Sequence, residues 1–397
     1  MNEEPETKIE NLMTPELARH PQVVYADLVG AGAVRIEGVG VLACSRAAVD
    51  EVLRHPEVFS SDTAATDLKA RRPLIPLQID PPAHRTYRKI LDPLFAPRHV
   101  QPLAQPITEL VDLLIDGFAD RDEIDFTSAF SVPFPSQVFL TLFGLPMEEL
   151  PRFLAMKDGI IRPNHVVGQA IGHPDTDAHQ KATADSIYEY FEALLDERAS
   201  VRRDDLLSQL LDAEVEGERL SRDEILDICF LFLIAGLDTV SASLDCFFGY
   251  LAEHPTHRRA LVADPATIPN AVEELLRWET PVMAGVRAAT RDAEVAGVAV
   301  RAGEQVMVLL GAANVDRGDV ADAEAVRWDR TVNRHLAFGG GVHRCLGSHL
   351  ARIELRVALD RWHRRIPDYR VAPGHELDFT PGIRALDRFP MRLGESI

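Results

Sequence analysis

The chain has 397 residues, 46% of them hydrophobic, which is enough for a sizeable core. Its formal net charge of −20 argues against nucleic acid or an anionic membrane surface as a general partner. Four scattered cysteines, Cys44, Cys229, Cys246 and Cys345, form no Cys-x-x-Cys pair, which argues against a disulfide framework or a zinc ribbon.

The N-terminal "MNEEPETKIENLM" is acidic and lacks the basic start and apolar core of a signal peptide; residues 1–20 are expected to be flexible. No linker, charge block or repeat interrupts the rest of the chain, so a single domain over 1–397 is expected. Strand-like runs occur at 33–43, 293–299 and 305–310, and helical periodicity at 83–94, 104–119, 181–198, 221–254, 268–279 and 346–365. The pattern predicts a mainly α fold with a minor β subdomain. The longest strongly apolar stretch, "ICFLFLIAGL", is bounded by Asp227 and Asp238 and falls short of the roughly 20 residues a membrane span needs. A soluble, cytoplasmic protein with no membrane span is expected.

The helix predicted at 221–254 opens with a Ser-x-x-Glu capping box, Ser221 to Glu224, and runs to Pro255. At about 1.5 Å per residue it is on the order of 50 Å long, and its apolar middle should be buried. Within it, "AGLDT" sets Ala235 and Gly236 beside Leu237, Asp238 and Thr239. A glycine inside a helix costs about 1 kcal/mol relative to alanine, so it calls for either close helix packing or a ligand.

"HLAFGGGVHRCLG", residues 335–347, places Cys345 after a run of glycines that can turn tightly and approach something flat. The helix predicted after it would favour a thiolate through its dipole, with His343 and Arg344 alongside. A buried structural cysteine is the other reading. Zinc on His343, Cys345 and His349 lacks a fourth ligand, and a nucleophilic cysteine lacks a base.

This loop resembles the haem-binding signature of the cytochrome P450 family, Phe-Gly-x-Gly-x-(Arg/His)-x-Cys-x-Gly, with every fixed position filled by Phe338, Gly339, Gly341, His343, Cys345 and Gly347. The resemblance implies the cytochrome P450 fold, a triangular prism of helices around a buried haem b. Cys345 is then the thiolate ligand, which pushes electron density onto the iron and favours O–O cleavage. Phe338, Gly339 and Gly347 then lie at the haem, and His343 at a propionate.

"AGLDT" resembles the family's distal segment, which implies that Ala235 and Gly236 leave room for oxygen while Asp238 and Thr239 relay protons to it. Such a relay is needed because one oxygen atom leaves as water. "DPPAHRTYRK" resembles the propionate-binding His-x-x-x-Arg, giving His84 and Arg88 that role, four residues apart on one helix face. Arg287 in "VRAATRD" matches a further propionate partner. Glu-x-x-Arg occurs six times, but only Glu274 to Arg277 lies on a good helix in the family's order. With Arg330 as third member it implies a structural ion-pair set, although "NVDRGDVADAEAVRWDRTVNR" departs from the family's usual run there.

Segments that meet substrate in the family map to Ile75 and Leu77, residues 160–171, Leu231 to Thr239, Val282 to Val286 with Val282, Met283 and Ala284 foremost, and Ile383 to Leu386. Most are apolar, as befits a hydrophobic small molecule; a terpenoid comes first, with fatty acids, steroids and macrolides open, and several of these residues could equally be core. No nicotinamide or flavin fingerprint is present, so electrons are expected from a ferredoxin and its reductase, docked on Arg85, Lys89, Arg344 and Arg352 or else finding only a solvated face there. The expected activity is insertion of one oxygen atom from O2 by a monomeric monooxygenase. A non-catalytic haem sensor, or a haem-thiolate isomerase or peroxygenase, is the alternative.

Overall fold

The computed structural model describes residues 18–63, 67–215 and 217–394; as far as residue 17, the stretch expected to be flexible lies outside them. In chain order the helices of eight or more residues are α1 (Gln22–Val29), α2 (Arg46–Arg54), α3 (Ala83–Leu91), α4 (Ala104–Asp116), α5 (Pro133–Leu142), α6 (Leu150–Ile161) and α7 (Pro174–Ser200). After these come α8 (Arg222–Glu253), α9 (Pro255–Ala263), α10 (Ile268–Glu279) and α11 (Ser348–Arg365). The strands are β1 (Ala33–Ile36), β2 (Gly40–Ala43), β3 (Phe59–Ser60), β4 (Glu123–Asp125), β5 (Glu214–Val215) and β6 (Glu218–Arg219). The later ones are β7 (Ala284–Ala289), β8 (Ala293–Val295), β9 (Val298–Val300), β10 (Gln305–Leu309), β11 (Tyr369–Val371) and β12 (Pro390–Leu393).

The chain forms two compact units. One takes the residues up to Ser60, Gln101–Val132 and everything from Thr239 onward; the other takes Ser61–Val100 and Pro133–Asp238. Helix α8 therefore divides between them at Asp238 and Thr239.

The first unit holds a five-stranded sheet in the order β1-β2-β10-β7-β3. Strand β10 runs parallel to β2 and antiparallel to β7, with Val306 opposite Arg287. Valines from β2 and β10 pack on α2, where Ala48, Val49 and Val52 form the buried face. Ser45 caps α2 by accepting the Ala48 N–H. A second sheet, β11-β12-β4, sits in the same unit as an aromatic cluster in which Phe126, Phe130 and Phe248 lie 5.0 to 5.1 Å from the Trp362 ring. Among its described residues the second unit is helical apart from the β5–β6 pair. Its core is aromatic too: Phe139 stacks on Phe143 at 4.4 Å, and Phe153 meets Tyr190 edge-on at 5.2 Å.

The capping box forms at the start of α8: the Ser221 N–H donates to Glu224 Oε2 at 2.6 Å and the Glu224 N–H to Ser221 Oγ at 3.3 Å. Among the described residues α8 alone is long and apolar enough to cross a membrane, and 78% of its apolar window is buried in the protein, which makes it a core helix. The run at 293–299 differs from expectation. It breaks into β8 and β9 because Ala296 and Gly297 both take positive φ, 46° and 83°, and fold it into a hairpin.

One buried carboxyl on α11 gives a pH dependence. Glu354 is enclosed, and burial pushes its pKa up to about 8. Between the usual carboxylate range and that value the folded protein binds a proton the unfolded chain has released, so stability falls as pH rises. Glu354→Gln is expected to flatten the decline between pH ~5 and 8, stabilising the protein by on the order of 3 kcal/mol at the upper end. Urea unfolding at a series of pH values checks this; parallel curves for the two proteins would count against it.

Candidate active site

In the first unit, the loop before α11 is shaped by its glycines. Gly341 takes φ 62°, and a Cβ there would lie 2.0 Å from the Leu53 carbonyl oxygen, so only glycine fits against α2. Gly339 takes φ 66° but has no atom closer than 4.0 Å to a would-be Cβ, and Gly347 has none within 4 Å. The loop is thus pinned at Gly341 and open at both ends. It is closed by the Cys345 N–H donating to the Phe338 carbonyl at 2.8 Å. His343 ends a short 3-10 turn, Gly341–His343. The Phe338 ring lies under the Arg352 guanidinium at 4.4 Å and beside the His335 ring at 5.8 Å.

Both of those neighbours bind Glu273 on α10. Arg352 meets it through two bonds of 2.8 Å and His335 at 3.1 Å. Burial pushes the Glu273 carboxyl up, but His335 and Arg352 outweigh it and hold it well below the carboxylate range. Arg352 is therefore tied inward and does not join the basic surface expected of it. Arg344 is exposed on the loop, and Arg85 and Lys89 are exposed on α3 of the second unit.

The thiols sort themselves. Cys44, Cys229 and Cys246 are buried and Cys345 is exposed. Burial pushes the Cys44 thiol up to about 12 and the Cys229 and Cys246 thiols higher still, so these three stay protonated and unfit to ligate a metal.

Helix α8 carries a second open surface. Phe232, Ala235, Gly236 and Thr239, spaced i, i+3, i+4, i+7, are partly or fully accessible, whereas Leu231, Leu233, Leu237 and Val240 are buried. Ile234 beside them is part-buried as well, so the accessible positions cluster in the middle of the helix. Ala235 is the exposed small residue there. At Gly236 a Cβ would lie 3.1 Å from the Phe139 ring, so the glycine lets α8 pack closely against α5.

Asp238 is not one of these accessible positions and is 1% exposed. Within the second unit it meets Lys157 Nζ at 3.3 Å and Arg162 Nη2 at 3.0 Å. Lys157 also binds Asp158 at 2.9 Å, and that carboxylate is 41% exposed. Sequence reasoning missed Lys157 and Arg162; the one signal was a lysine on the apolar face of α6. Thr239 follows on α8, its carbonyl accepting from Ser243 Oγ at 2.8 Å.

On α3, His84 is 2% exposed, and burial together with neighbouring Arg88 holds its pKa below the usual value. Arg88 lies one turn on and meets Asp92 at 2.6 Å. Arg287 is part-buried on β7 and donates to the Val286 carbonyl at 2.8 Å.

Glu274 and Arg277 on α10 form a bidentate pair with both bonds at 2.8 Å, and Arg330 Nε reaches the same carboxylate at 3.0 Å. The Asn333 amide and the Arg327 N–H complete it at 2.8 and 3.0 Å. Of the apolar residues read as substrate-facing, Val282 and Ile383 are part-buried and joined as an isolated β-bridge. Ala284 is also part-buried at the start of β7, Leu231 is buried, and Leu77 is 39% exposed. Met283 differs: it is buried in a core cluster with Tyr25, Leu309 and Val315, against which Ala284 also packs.

The cytochrome P450 family model matches residues 39–365. The chain belongs to the cytochrome P450 family. It is 36% identical over 338 residues to a steroid C26-monooxygenase of Mycolicibacterium smegmatis, covering 84% of this chain and 82% of that one. It is 34% identical over 322 residues to mycinamicin IV hydroxylase/epoxidase of Micromonospora griseorubida, 80% of this chain and 78% of that one. Among solved structures, that of CYP109E1 from Bacillus megaterium in complex with testosterone superposes with a TM-score of 0.86 at 27% identity, covering 96% of this chain and 100% of that one.

This P450 is therefore a monooxygenase whose cofactor is haem b, bound through a cysteine thiolate. The residues fit that group: there is one exposed thiol among four, a glycine loop open at Gly339 and Gly347, and accessible positions in the middle of a mostly buried apolar helix. When bound, thiolate-ligated haem supplies oxygen activation. P450 relatives act on hydrophobic substrates with O2 and redox partners.

Proposed function

We propose that this P450 hydroxylates a terpenoid- or steroid-like molecule, with Cys345 as the thiolate ligand. The observation that carries the assignment is that Cys345 alone among the four cysteines is exposed, on an open glycine loop. Phe338, Gly339, Gly347, Ala235 and Gly236 line the haem, and His343, His84, Arg88 and Arg287 hold its propionates, because two carboxylates taken out of water need donors. Leu77, Leu231, Val282, Ala284 and Ile383 present an apolar surface to the substrate; Met283 backs it from the core. A relative named for steroid oxidation and a structural neighbour holding testosterone support the substrate class.

Asp238 and Thr239 deliver protons. Asp238 is buried yet bonded to Lys157 and Arg162, and Lys157 in turn reaches the half-exposed Asp158; small rotations of these side chains pass a proton inward from the surface. Thr239, at one of the accessible positions, orients the last donor. Electrons come from a ferredoxin and its reductase, drawn by Arg85, Lys89 and Arg344. The chain acts as a monomer in the cytoplasm, as one catalytic domain.

Thr239→Ala is expected to load haem normally but to lower product per NADH roughly tenfold, the electrons appearing as hydrogen peroxide. Turnover with a ferredoxin and reductase, on a steroid or terpenoid that shifts the haem spectrum, checks this. Unchanged coupling would remove Thr239 from proton delivery, and no turnover of any shifting compound would favour a haem protein that only binds.

A further inference from the structure

A buried ion pair lies directly behind the two apolar residues joined as a bridge. Arg384 is 1% exposed and Glu279 6%. Arg384 Nη1 donates to Glu279 Oε2 at 2.7 Å and to the Glu279 carbonyl at 2.6 Å; Nε and Nη2 donate to the Ala18 and Arg19 carbonyls at 2.6 and 3.0 Å. The guanidinium also sits 4.9 Å from the centre of the Phe379 ring.

The backbone around this pair is tied on every side. The Met283 N–H donates to the Gly382 carbonyl at 3.0 Å and the Arg384 N–H to the Pro281 carbonyl at 2.8 Å, flanking the Val282–Ile383 bridge. The Cys246 thiol on α8 donates to the Arg384 carbonyl at 3.2 Å. Between Glu279 and Val282 the chain passes through Thr280 at φ 38°, a left-handed conformation that a β-branched residue rarely adopts. Its hydroxyl is held by the Arg277 carbonyl and the Asn314 amide, both at 2.8 Å.

Extended backbone alternates sides. Arg384 points into the protein, so its neighbour Ile383 points out; Met283 points in, so Val282 points out. We propose that the Glu279–Arg384 pair is a positioning clamp that sets the spacing and orientation of Val282 and Ile383, and thereby the width of the site offered to the substrate's apolar body. An ion pair this buried is poor evidence of stabilisation, because desolvation offsets the attraction. It does specify one arrangement of two segments that are distant in sequence. The clamp rests on the reading that Val282 and Ile383 face the substrate.

The test uses the haem-loaded protein and two probes, imidazole and 4-phenylimidazole, whose nitrogen binding is read from the haem absorbance. Phenyl selectivity is the ratio of their dissociation constants. Val282→Ala and Ile383→Ala test the walls. Arg384→Lys, and the double variant Glu279→Gln with Arg384→Met, test the clamp; the double variant leaves no unpaired buried charge. Every variant is expected to bind imidazole within about twofold of the parent and to change phenyl selectivity about tenfold. Selectivity altered by the wall variants but not by the clamp variants would overturn the clamp and leave the walls standing, whatever the loss in thermal stability. Selectivity unaltered by the wall variants would overturn the substrate-facing reading and the clamp with it. If the double variant does not load haem, Arg384→Lys decides between the same outcomes.

Discussion

Cys345→Ser is expected to give a folded protein that has lost its thiolate-haem spectrum and turns over at least about a thousandfold more slowly. Serine nearly matches cysteine in size, and position 345 is exposed at a loop, where substitutions typically change stability by less than about 0.5 kcal/mol. The chemistry does not survive the exchange, because a serine hydroxyl neither ionises readily nor pushes electron density as a soft thiolate does. No other thiol can take over, since Cys44, Cys229 and Cys246 are buried and held protonated. Alanine at each of those three positions is the control and should leave the spectrum unchanged. Carbon monoxide difference spectra across the four variants, with circular dichroism to verify folding, check the whole set.

The largest effect on stability is expected from Glu274→Ala. This carboxylate is fully buried and accepts from Arg277, Arg330, Asn333 and the Arg327 backbone. Removing it strands a guanidinium that is itself 1% exposed. Breaking such a pair from one side costs about 3–5 kcal/mol, a large part of the roughly 5–15 kcal/mol that holds a domain folded. The variant should therefore unfold at much lower urea concentration and retain little haem. Arg277 also donates to the Asn314, Ala323 and Ala325 carbonyls at 2.9 to 3.0 Å, so loss of the carboxylate loosens the segment leading to the cysteine loop. Glu273→Gln is the contrasting case: its carboxylate is 21% exposed, water partly replaces the lost charge, and the drop should be clearly smaller.

How much of this was legible in the sequence depends on how local each signal was. The Cys345 loop, the capping box at Ser221 and the pairing of Glu274 with Arg277 are short-range patterns, and the structure places each where its spacing predicts. Arg330 joins Glu274 even though the run before it departs from the family's usual pattern. Helices α5 and α6 went unread because Pro133, Pro135 and Pro151 look like breaks, whereas proline in a first turn starts a helix. Met283 reads like its apolar neighbours in the sequence, because only the packing shows that it belongs to a core cluster. The bonds of Lys157 and Arg162 to Asp238 were not legible, since they span 81 and 76 residues of sequence. For the same reason Glu279 and Arg384, 105 residues apart, leave no local trace.

The central claim is that this chain carries haem on the Cys345 thiolate, and the most direct measurement is the spectrum of the purified protein reduced with dithionite and exposed to carbon monoxide. The prediction is a difference band near about 450 nm, which disappears in Cys345→Ser. A band near about 420 nm in the freshly loaded parent protein, or one near about 450 nm that persists in Cys345→Ser, would contradict it.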